Sequence, residues 1–281
     1  MELYNQDCLE KMKDLSDNSI DLLFCDLPYG VTSCKWDSLI DLDLFWKEVN
    51  RVCKDTTPMF FTCSTKFGVS LINSNPKNFR YDLIWVKSSP CGFLNAKKMP
   101  MKKHEMIYVF YRKLPLYDLS SHKHKFLSER KTIDYKNESF LYGKIDRPDY
   151  MRKNGESMYD PPLPVSVIRT DGGCDSMYGK ETKKVFIYDE KGKLRNSETR
   201  YDPPLPNSLL EIKSEKGKHA TQKPTALIEW CLKYYSKEGD IILDPTMGSG
   251  STGVACKIMN RNFIGIEKDE KIFNDAVERL K

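Results

Sequence analysis

Asp26-Leu27-Pro28-Tyr29, followed by Gly30, comes directly after the apolar run Ile20-Asp21-Leu22-Leu23-Phe24-Cys25. These residue types can activate a conjugated amine. The exocyclic nitrogen of adenine or cytosine is a poor nucleophile because its lone pair is delocalised into the ring. Two hydrogen-bond acceptors, one on each N–H, would draw the nitrogen toward a tetrahedral shape and free that pair. The Asp26 carboxylate can be one acceptor and the Leu27 main-chain carbonyl the other, and Asp26 can also take up the released proton. Pro28 fixes the backbone direction. Tyr29 offers a flat face to a base turned out of its stack. A methyl group held in line would complete a direct displacement in which catalysis is mostly positioning. The competing reading is a plain β-turn, for which Asp-x-Pro is common. Two similar segments, Asp160-Pro161-Pro162 and Asp202-Pro203-Pro204, carry Leu in place of the aromatic residue, and neither follows an apolar strand.

A second group of residues lies near the other end of the chain. Met247-Gly248-Ser249-Gly250-Ser251-Thr252-Gly253 contains Gly-x-Gly-x-x-Gly, preceded by the strand-like Ile241-Ile242-Leu243 and followed by a helical stretch from Ser251 to Met259. Glu267 closes the next apolar run, Phe263-Ile264-Gly265-Ile266. That is the nucleotide fingerprint, whose acidic residue stands roughly 20 positions on and binds ribose hydroxyls. Glycines admit close approach of a ligand to the backbone, and helix N-terminal amides favour an anionic group. The alternative is a tight strand-to-helix turn beside an ordinary surface Glu. The fingerprint fits either NAD, through its pyrophosphate, or S-adenosylmethionine, through its adenosine ribose.

The elements around these motifs decide between the two ligands. The first residues read as a short strand at Leu3-Tyr4 ending at Asp7-Cys8, a helix over Leu9 to Leu15, and a buried strand ending at Asp26. Strand-like runs recur at Met59–Thr62, Leu83–Val86 and Met106–Phe110, with helical patterns between them, for example over Asp43–Val52. Alternation of this kind predicts an α/β sheet with parallel character. After about Lys113 the chain turns polar, Tyr-rich and basic, with a hairpin-like stretch at Val185–Leu194; residues 113–206 are expected to form an inserted lobe. Regular order resumes at Lys223, with Pro224 suited to a helix first turn, and a last helix runs from Asp269 to Leu280. Only one helix follows Glu267, so the strand that would extend the nucleotide-binding sheet must come from the N-terminal segment. Joined head to tail, the two ends make one sheet, which predicts a circularly permuted Rossmann-like fold and disfavours an NAD enzyme.

The bulk properties narrow the class less. The chain has 281 residues, 40% apolar and 30% charged, with a formal charge of +5. This suits one large core with a smaller inserted lobe, and the mild positive balance permits nucleic-acid binding without establishing it. No apolar run is long enough for a bilayer and no signal-peptide pattern opens the chain, so a cytoplasmic protein without a membrane partner is expected. The nine scattered cysteines form neither Cys-x-x-Cys nor a zinc-like spacing with His, so no metal is expected. Cys25, Cys63 and Cys256 read as small core residues.

Taken in order, these motifs resemble the β-class DNA amino-methyltransferases, in particular the phage and bacterial N6-adenine type. In that family the catalytic Asp-Pro-Pro-Tyr precedes a target-recognition region, and the cofactor loop follows. The order here is Asp7-Cys8-Leu9-Glu10, Asp26-Leu27-Pro28-Tyr29, the lobe after Lys113, His219-Ala220-Thr221-Gln222-Lys223-Pro224, and Asp244-Pro245-Thr246-Met247-Gly248-Ser249-Gly250-Ser251-Thr252. The resemblance covers about residues 1–112 and 207–281, the expected catalytic and S-adenosylmethionine-binding domain, and leaves 113–206 as the target-recognition region. It implies a methyltransferase sheet, catalysis by Asp26, Leu27, Pro28 and Tyr29, and S-adenosylmethionine as cofactor. It further implies Asp7 and Cys8 near the cofactor adenine, Asp26 and Lys223 beside the cofactor, and Glu267 on the ribose. Asp244, Thr246, Gly248, Ser249, Gly250, Ser251 and Thr252 would wrap the methionine portion.

Two departures stand out: Leu27 in place of the family's first Pro, and Ala220 in place of a Pro. Asp at position 26 favours adenine N6 by family habit, with cytosine N4 as the alternative. RNA or protein amide methylation, which usually carries Asn at that position, and a DNA-binding module with a degenerate cofactor pocket are the further rivals. Lys97, Lys98, Lys102 and Lys103 before the lobe, and Lys123, Lys125, Arg130 and Lys131 within it, interleaved with aromatics, are the expected DNA-binding residues. A cognate restriction endonuclease and a homodimer are partners that only the resemblance suggests.

Overall fold

In the computed structural model, residues 1–28, 40–121 and 223–281 are described, together with the backbone of five short strands between 123 and 169. In chain order the elements are β1 (Glu2–Tyr4), α1 (Cys8–Met12), β2 (Leu22–Cys25), α2 (Leu42–Val52), β3 (Met59–Cys63), α3 (Thr65–Ser74), β4 (Phe79–Cys91), β5 (Lys102–Phe110), β6 (Lys123–His124), β7 (Glu138–Ser139), β8 (Gly143–Lys144), β9 (Tyr159–Asp160), β10 (Val167–Arg169), α4 (Thr225–Tyr235), β11 (Ile241–Asp244), α5 (Ser251–Ile258), β12 (Asn262–Ile266) and α6 (Glu270–Leu280).

Eight strands form one sheet in the order β1-β12-β11-β2-β3-β5-β4-β10. All neighbours are parallel except β5, which runs antiparallel to both β3 and β4. The expected head-to-tail closure is present. The late strands β11 and β12 lie between the early strands β1 and β2: Glu2–Tyr4 pair with Ile264–Ile266, and Leu22 and Leu23 pair with Ile242 and Leu243. This is the permuted Rossmann-like sheet that the order of motifs predicts.

Side-chain alternation assigns the two faces, because successive strand residues point to opposite sides. Leu23, Cys25, Met59, Phe61, Leu243, Ile264 and Ile266 face one core, shared with Met12, Phe45, Trp46, Val49 and Val52 from α1 and α2. Leu22, Phe24, Phe60, Ile242 and Phe263 face the other, closed by Leu227, Ile228, Cys231 and Leu232 of α4 and by residues of α5 and α6. A sheet covered on both faces needs nearly continuous apolar strands, and β2 and β3 are buried along their whole length.

The sequence-predicted strands at Leu83–Val86 and Met106–Phe110 are longer than expected, because the β4–β5 hairpin carries its ladder on into polar residues as far as Cys91 and Lys102. The apolar runs mark only the buried half of each strand. The helix expected over Leu9–Leu15 is shorter, at Cys8–Met12. Within the region expected to be an inserted lobe, β10 pairs with β4 at the edge of the main sheet. Tyr117 packs against Tyr234 and Tyr235 of α4, and the Asp118 amide donates to the Tyr234 carbonyl at 2.8 Å. Two small antiparallel pairs, β6–β9 and β7–β8, lie in the same region. The hairpin expected at Val185–Leu194 falls outside the described residues.

Candidate active site

The carboxyl ends of β1, β12, β11 and β2 meet at one edge of the sheet, the edge at which open α/β sheets bind ligands. Asp7, Glu267, Asp244 and Asp26 stand just at or beyond these four strand ends. Neighbours fix Asp26 on every side. Its Oδ1 accepts from the Thr62 hydroxyl of β3 at 2.7 Å, its main-chain oxygen accepts from the Thr246 hydroxyl of the glycine loop at 3.0 Å, and its Oδ2 accepts from the Lys223 ammonium. The loop and the Asp26 segment are thus joined directly. Leu27, which stands in place of a proline, is only 2% exposed and belongs to the first core. Its carbonyl is therefore held through an anchored apolar side chain rather than through a second ring. Tyr29 lies outside the described residues.

Lys223 was expected beside the cofactor. Its side chain reaches the Asp26 carboxylate, the other residue expected there. It directly precedes Pro224, the N-cap of α4, and only 12% of its side chain is exposed. Burial would lower its pKa, but the carboxylates of Asp26 and Glu105 outweigh burial and hold it above the usual lysine value. Glu105 Oε2 lies 3.7 Å from the Lys223 ammonium, and Glu105 Oε1 pairs with Lys87. Glu105 and Lys87 are absent from the sequence expectations. The available signal was a charged residue at each margin of an apolar strand run, Leu83–Val86 and Met106–Phe110.

The glycine loop is braced from below and from behind. Asp244, 4% exposed, accepts from the Thr246 amide at 3.2 Å and from the Thr252 hydroxyl at 2.5 Å. Burial pushes its pKa up to about 7 despite these bonds. Its carboxyl group is engaged in shaping the loop. Arg279 of α6 donates to the Ser249 carbonyl at 3.0 Å and to the Ser249 and Ser251 hydroxyls at 3.2 and 3.1 Å. This second brace was also missed, because its partners lie about one helix and one strand away in sequence. Gly253 and Gly265 have no room for a Cβ: one would meet Phe263 at 2.8 Å and the other the Met247 sulfur at 2.4 Å. α5 therefore packs tightly on β12, as the third glycine of the fingerprint allows.

The upper surface of the loop fits an adenosyl ligand. Gly248 has φ +51°, and a Cβ built there would meet no described atom within 4 Å, so the backbone faces open space. Among the described residues no side chain caps the start of α5, whereas Asp41, Ser64 and Asp269 cap α2, α3 and α6. The first-turn amides of α5 are therefore available to an acceptor. Glu267 takes the Gly248 amide on Oε2 at 3.1 Å and the Asp269 amide on Oε1 at 2.8 Å. Each oxygen keeps a further lone pair for a ribose hydroxyl. Asp7 caps α1 through the Leu9 amide at 2.9 Å and pairs with Lys268 at 3.0 Å. Cys8 is buried, and its thiol is pushed up to about 12, so it serves as wall rather than nucleophile.

Of the expected DNA-binding lysines, Lys97, Lys98 and Lys102 are exposed along the β4–β5 connection. Lys103 turns inward and is 6% exposed, as strand alternation requires beside an exposed Lys102. Only the backbone of Lys123 is described; Lys125, Arg130 and Lys131 lie outside the described residues.

The chain is similar to several known proteins. A family model for DNA methylase, covering N6 and N4 types, matches residues 20–278. The chain is 26% identical over 303 residues to the Type II methyltransferase M.HinfI of Haemophilus influenzae, a match covering 98% of this chain and 67% of that protein. Among solved structures it resembles the M1.HpyAVI–SAM complex, with a TM-score of 0.56, 21% identity and 99% of each chain covered. It also resembles the PvuII DNA methyltransferase, named as cytosine-N4-specific, with a TM-score of 0.60, 14% identity, and coverage of 99% of this chain and 86% of that one. These last two likenesses concern the fold. Because the matched region runs from β2 and the Asp26 segment through the glycine loop into α6, the chain belongs to the N6/N4 DNA methylase family of S-adenosylmethionine-dependent DNA methyltransferases.

Proposed function

We propose that this protein methylates the N6 amine of a flipped adenine at a specific DNA sequence. The observation that carries the reading is the tie between the Thr246 hydroxyl of the glycine loop and the Asp26 carbonyl at 3.0 Å, which sets the amine acceptors against the donor seat.

In this reading the Asp26 carboxylate and the Leu27 carbonyl each accept one N–H of the target amine, drawing its lone pair out of the ring. Thr62 orients the carboxylate through its 2.7 Å bond. Asp26 then takes the proton that the nitrogen sheds after transfer. Glu267, Gly248 and the first-turn amides of α5 would hold the cofactor, which when bound supplies a methyl group on a positively charged sulfur. Tyr29 would stack on the flipped base, and Lys97, Lys98 and Lys102 would contact phosphates. Asp at position 26 supports adenine over cytosine.

The test is to incubate DNA with labelled S-adenosylmethionine and identify the modified base. Label in N6-methyladenine is expected, label in N4-methylcytosine would replace the adenine assignment, and label only in RNA or protein would overturn the reading. The Type II name of the Haemophilus relative also supports a cognate restriction endonuclease as partner. DNA from cells expressing the protein would then resist cleavage by that nuclease.

A further inference from the structure

Both oxygens of the Asp26 carboxylate already have donors: Thr62 on Oδ1 and the Lys223 ammonium on Oδ2. A target amine must compete for this carboxylate. An ammonium held against it withdraws the electron density that would draw the amine's lone pair out of its ring. Beside the pair lies a second seat. Glu105 Oε2 is buried, accepts no hydrogen bond from any described residue, and stands 3.7 Å from the same ammonium. A buried carboxylate oxygen without a donor is unfavourable, and a shift of about 1 Å in the Lys223 ammonium would bring it within hydrogen-bond length. Lys87 on Glu105 Oε1 fixes the seat from the far side. The shift leaves the summed charge of the two carboxylates and two ammoniums unchanged, and the incoming amine together with Thr62 supplies the donors that Asp26 keeps.

The geometry points to Lys223 as a two-position ammonium and to Glu105 as the positioning residue that receives it. Without a target base, Lys223 rests on Asp26 and keeps that part-buried carboxylate paired. When the base enters, its amine takes Asp26 Oδ2 and Lys223 moves onto Glu105 Oε2. Glu105 acts through Lys223 and never touches the base. This inference rests on the reading of Asp26 as the amine acceptor. It adds that the acceptor is masked until the substrate arrives, so that the substrate itself unmasks it.

The test uses single-turnover methylation of a duplex on which the wild-type enzyme acts. Glu105→Gln removes the receiving charge and leaves Lys223 on Asp26. The expected result is a fall in rate of at least about tenfold, the scale of one charge-assisted hydrogen bond, with the KM values for DNA and cofactor changed by less than about threefold. Adding Lys223→Met to that variant removes the trapped ammonium, and part of the lost rate should return. A structural role for Glu105 would instead make the double variant as slow as Glu105→Gln or slower, which overturns the inference, as would a wild-type rate in Glu105→Gln. If Glu105→Gln does not fold, Glu105→Asp replaces it. That variant keeps the charge but draws it back by about one bond length; slow turnover rescued by Lys223→Met is expected, and a wild-type rate or a lack of rescue overturns the inference. Failure of the functional reading is separate: the wild-type enzyme would then modify no DNA, or Asp26→Ala would retain its activity.

Discussion

At position 27 the carbonyl that is to accept from the target amine is aimed by a side chain in the core. Trimming that side chain with Leu27→Ala should therefore act on catalysis as well as on stability. A buried Leu→Ala change costs about 2–5 kcal/mol, and the carbonyl loses its anchor, so the transfer rate should fall more than cofactor affinity. Rate and dissociation constant measured on the same preparation check this. In the proposed reading Asp26→Ala removes both the acceptor and the proton sink. Transfer should drop by at least about a thousandfold while cofactor still binds, as titration calorimetry would show; turnover at the wild-type level would mean the segment is only a turn. Glu267→Ala should do the reverse and weaken cofactor affinity about tenfold or more, the scale of a hydrogen bond to a charged group. An unchanged dissociation constant would refute its ribose role. The placement of Asp26, Gly248 and Glu267 beyond strand ends was legible in the sequence because each follows an apolar run. Glu105 and Arg279 were not, because their meaning lies in partners brought close only by the fold: Lys223 for one, Ser249 and Ser251 for the other.

At the scale of elements, the loop from β11 to α5 is shaped by a buried acid. Asp244 holds its proton to about pH 7 in the fold, against about 4 in an unfolded chain. The folded form therefore binds more protons between these values, and the contribution of Asp244 to stability is lost as pH rises from about 4 through 7. Asp244→Asn should remove this dependence. The variant's stability relative to wild type should increase with pH across that window, by an amount on the order of a few kcal/mol at its upper end. Urea unfolding at several pH values measures it, and a difference independent of pH would contradict the assignment. The β4–β5 connection makes a different prediction. If Lys97 and Lys98 meet phosphates, each change to Ala should weaken binding to all duplexes alike and lower the slope of log affinity against log salt by about one. One helix, α3, falls where the sequence predicts a helical pattern but gives no bounds. Its packing depends on Gly68, where a Cβ would fall 2.0 Å from the Tyr108 ring, a contact that no local pattern announces.

For the whole molecule, the head-to-tail closure of the sheet was legible in the order of the motifs, whereas the reversed direction of β5 between β3 and β4 was not. The pairing of β1 with β12 is continued by side chains and backbone. The Glu267 amide donates to the Tyr4 carbonyl at 3.0 Å, and the Asn5 side-chain amide donates to the Glu267 and Lys268 carbonyls at 2.9 and 3.2 Å. Deletion of residues 1–6 should therefore lower the melting temperature and weaken cofactor binding together. Calorimetry and a cofactor titration would show both effects; loss of one without the other would separate the sheet edge from the seat.

The placement of β11 and β12 between β1 and β2 also sets a schedule for synthesis. β2 leaves the ribosome early, but the strand that pairs with its outer edge, β11, begins only at Ile241. Until then an apolar strand waits with an open row of amides and carbonyls, a template for pairing with the wrong chain. The middle of this sheet closes last, so the newborn protein should depend on holdase chaperones for most of its translation. Slowing the ribosome downstream of β3 should lower the yield of soluble enzyme, while slowing it after β12 should not.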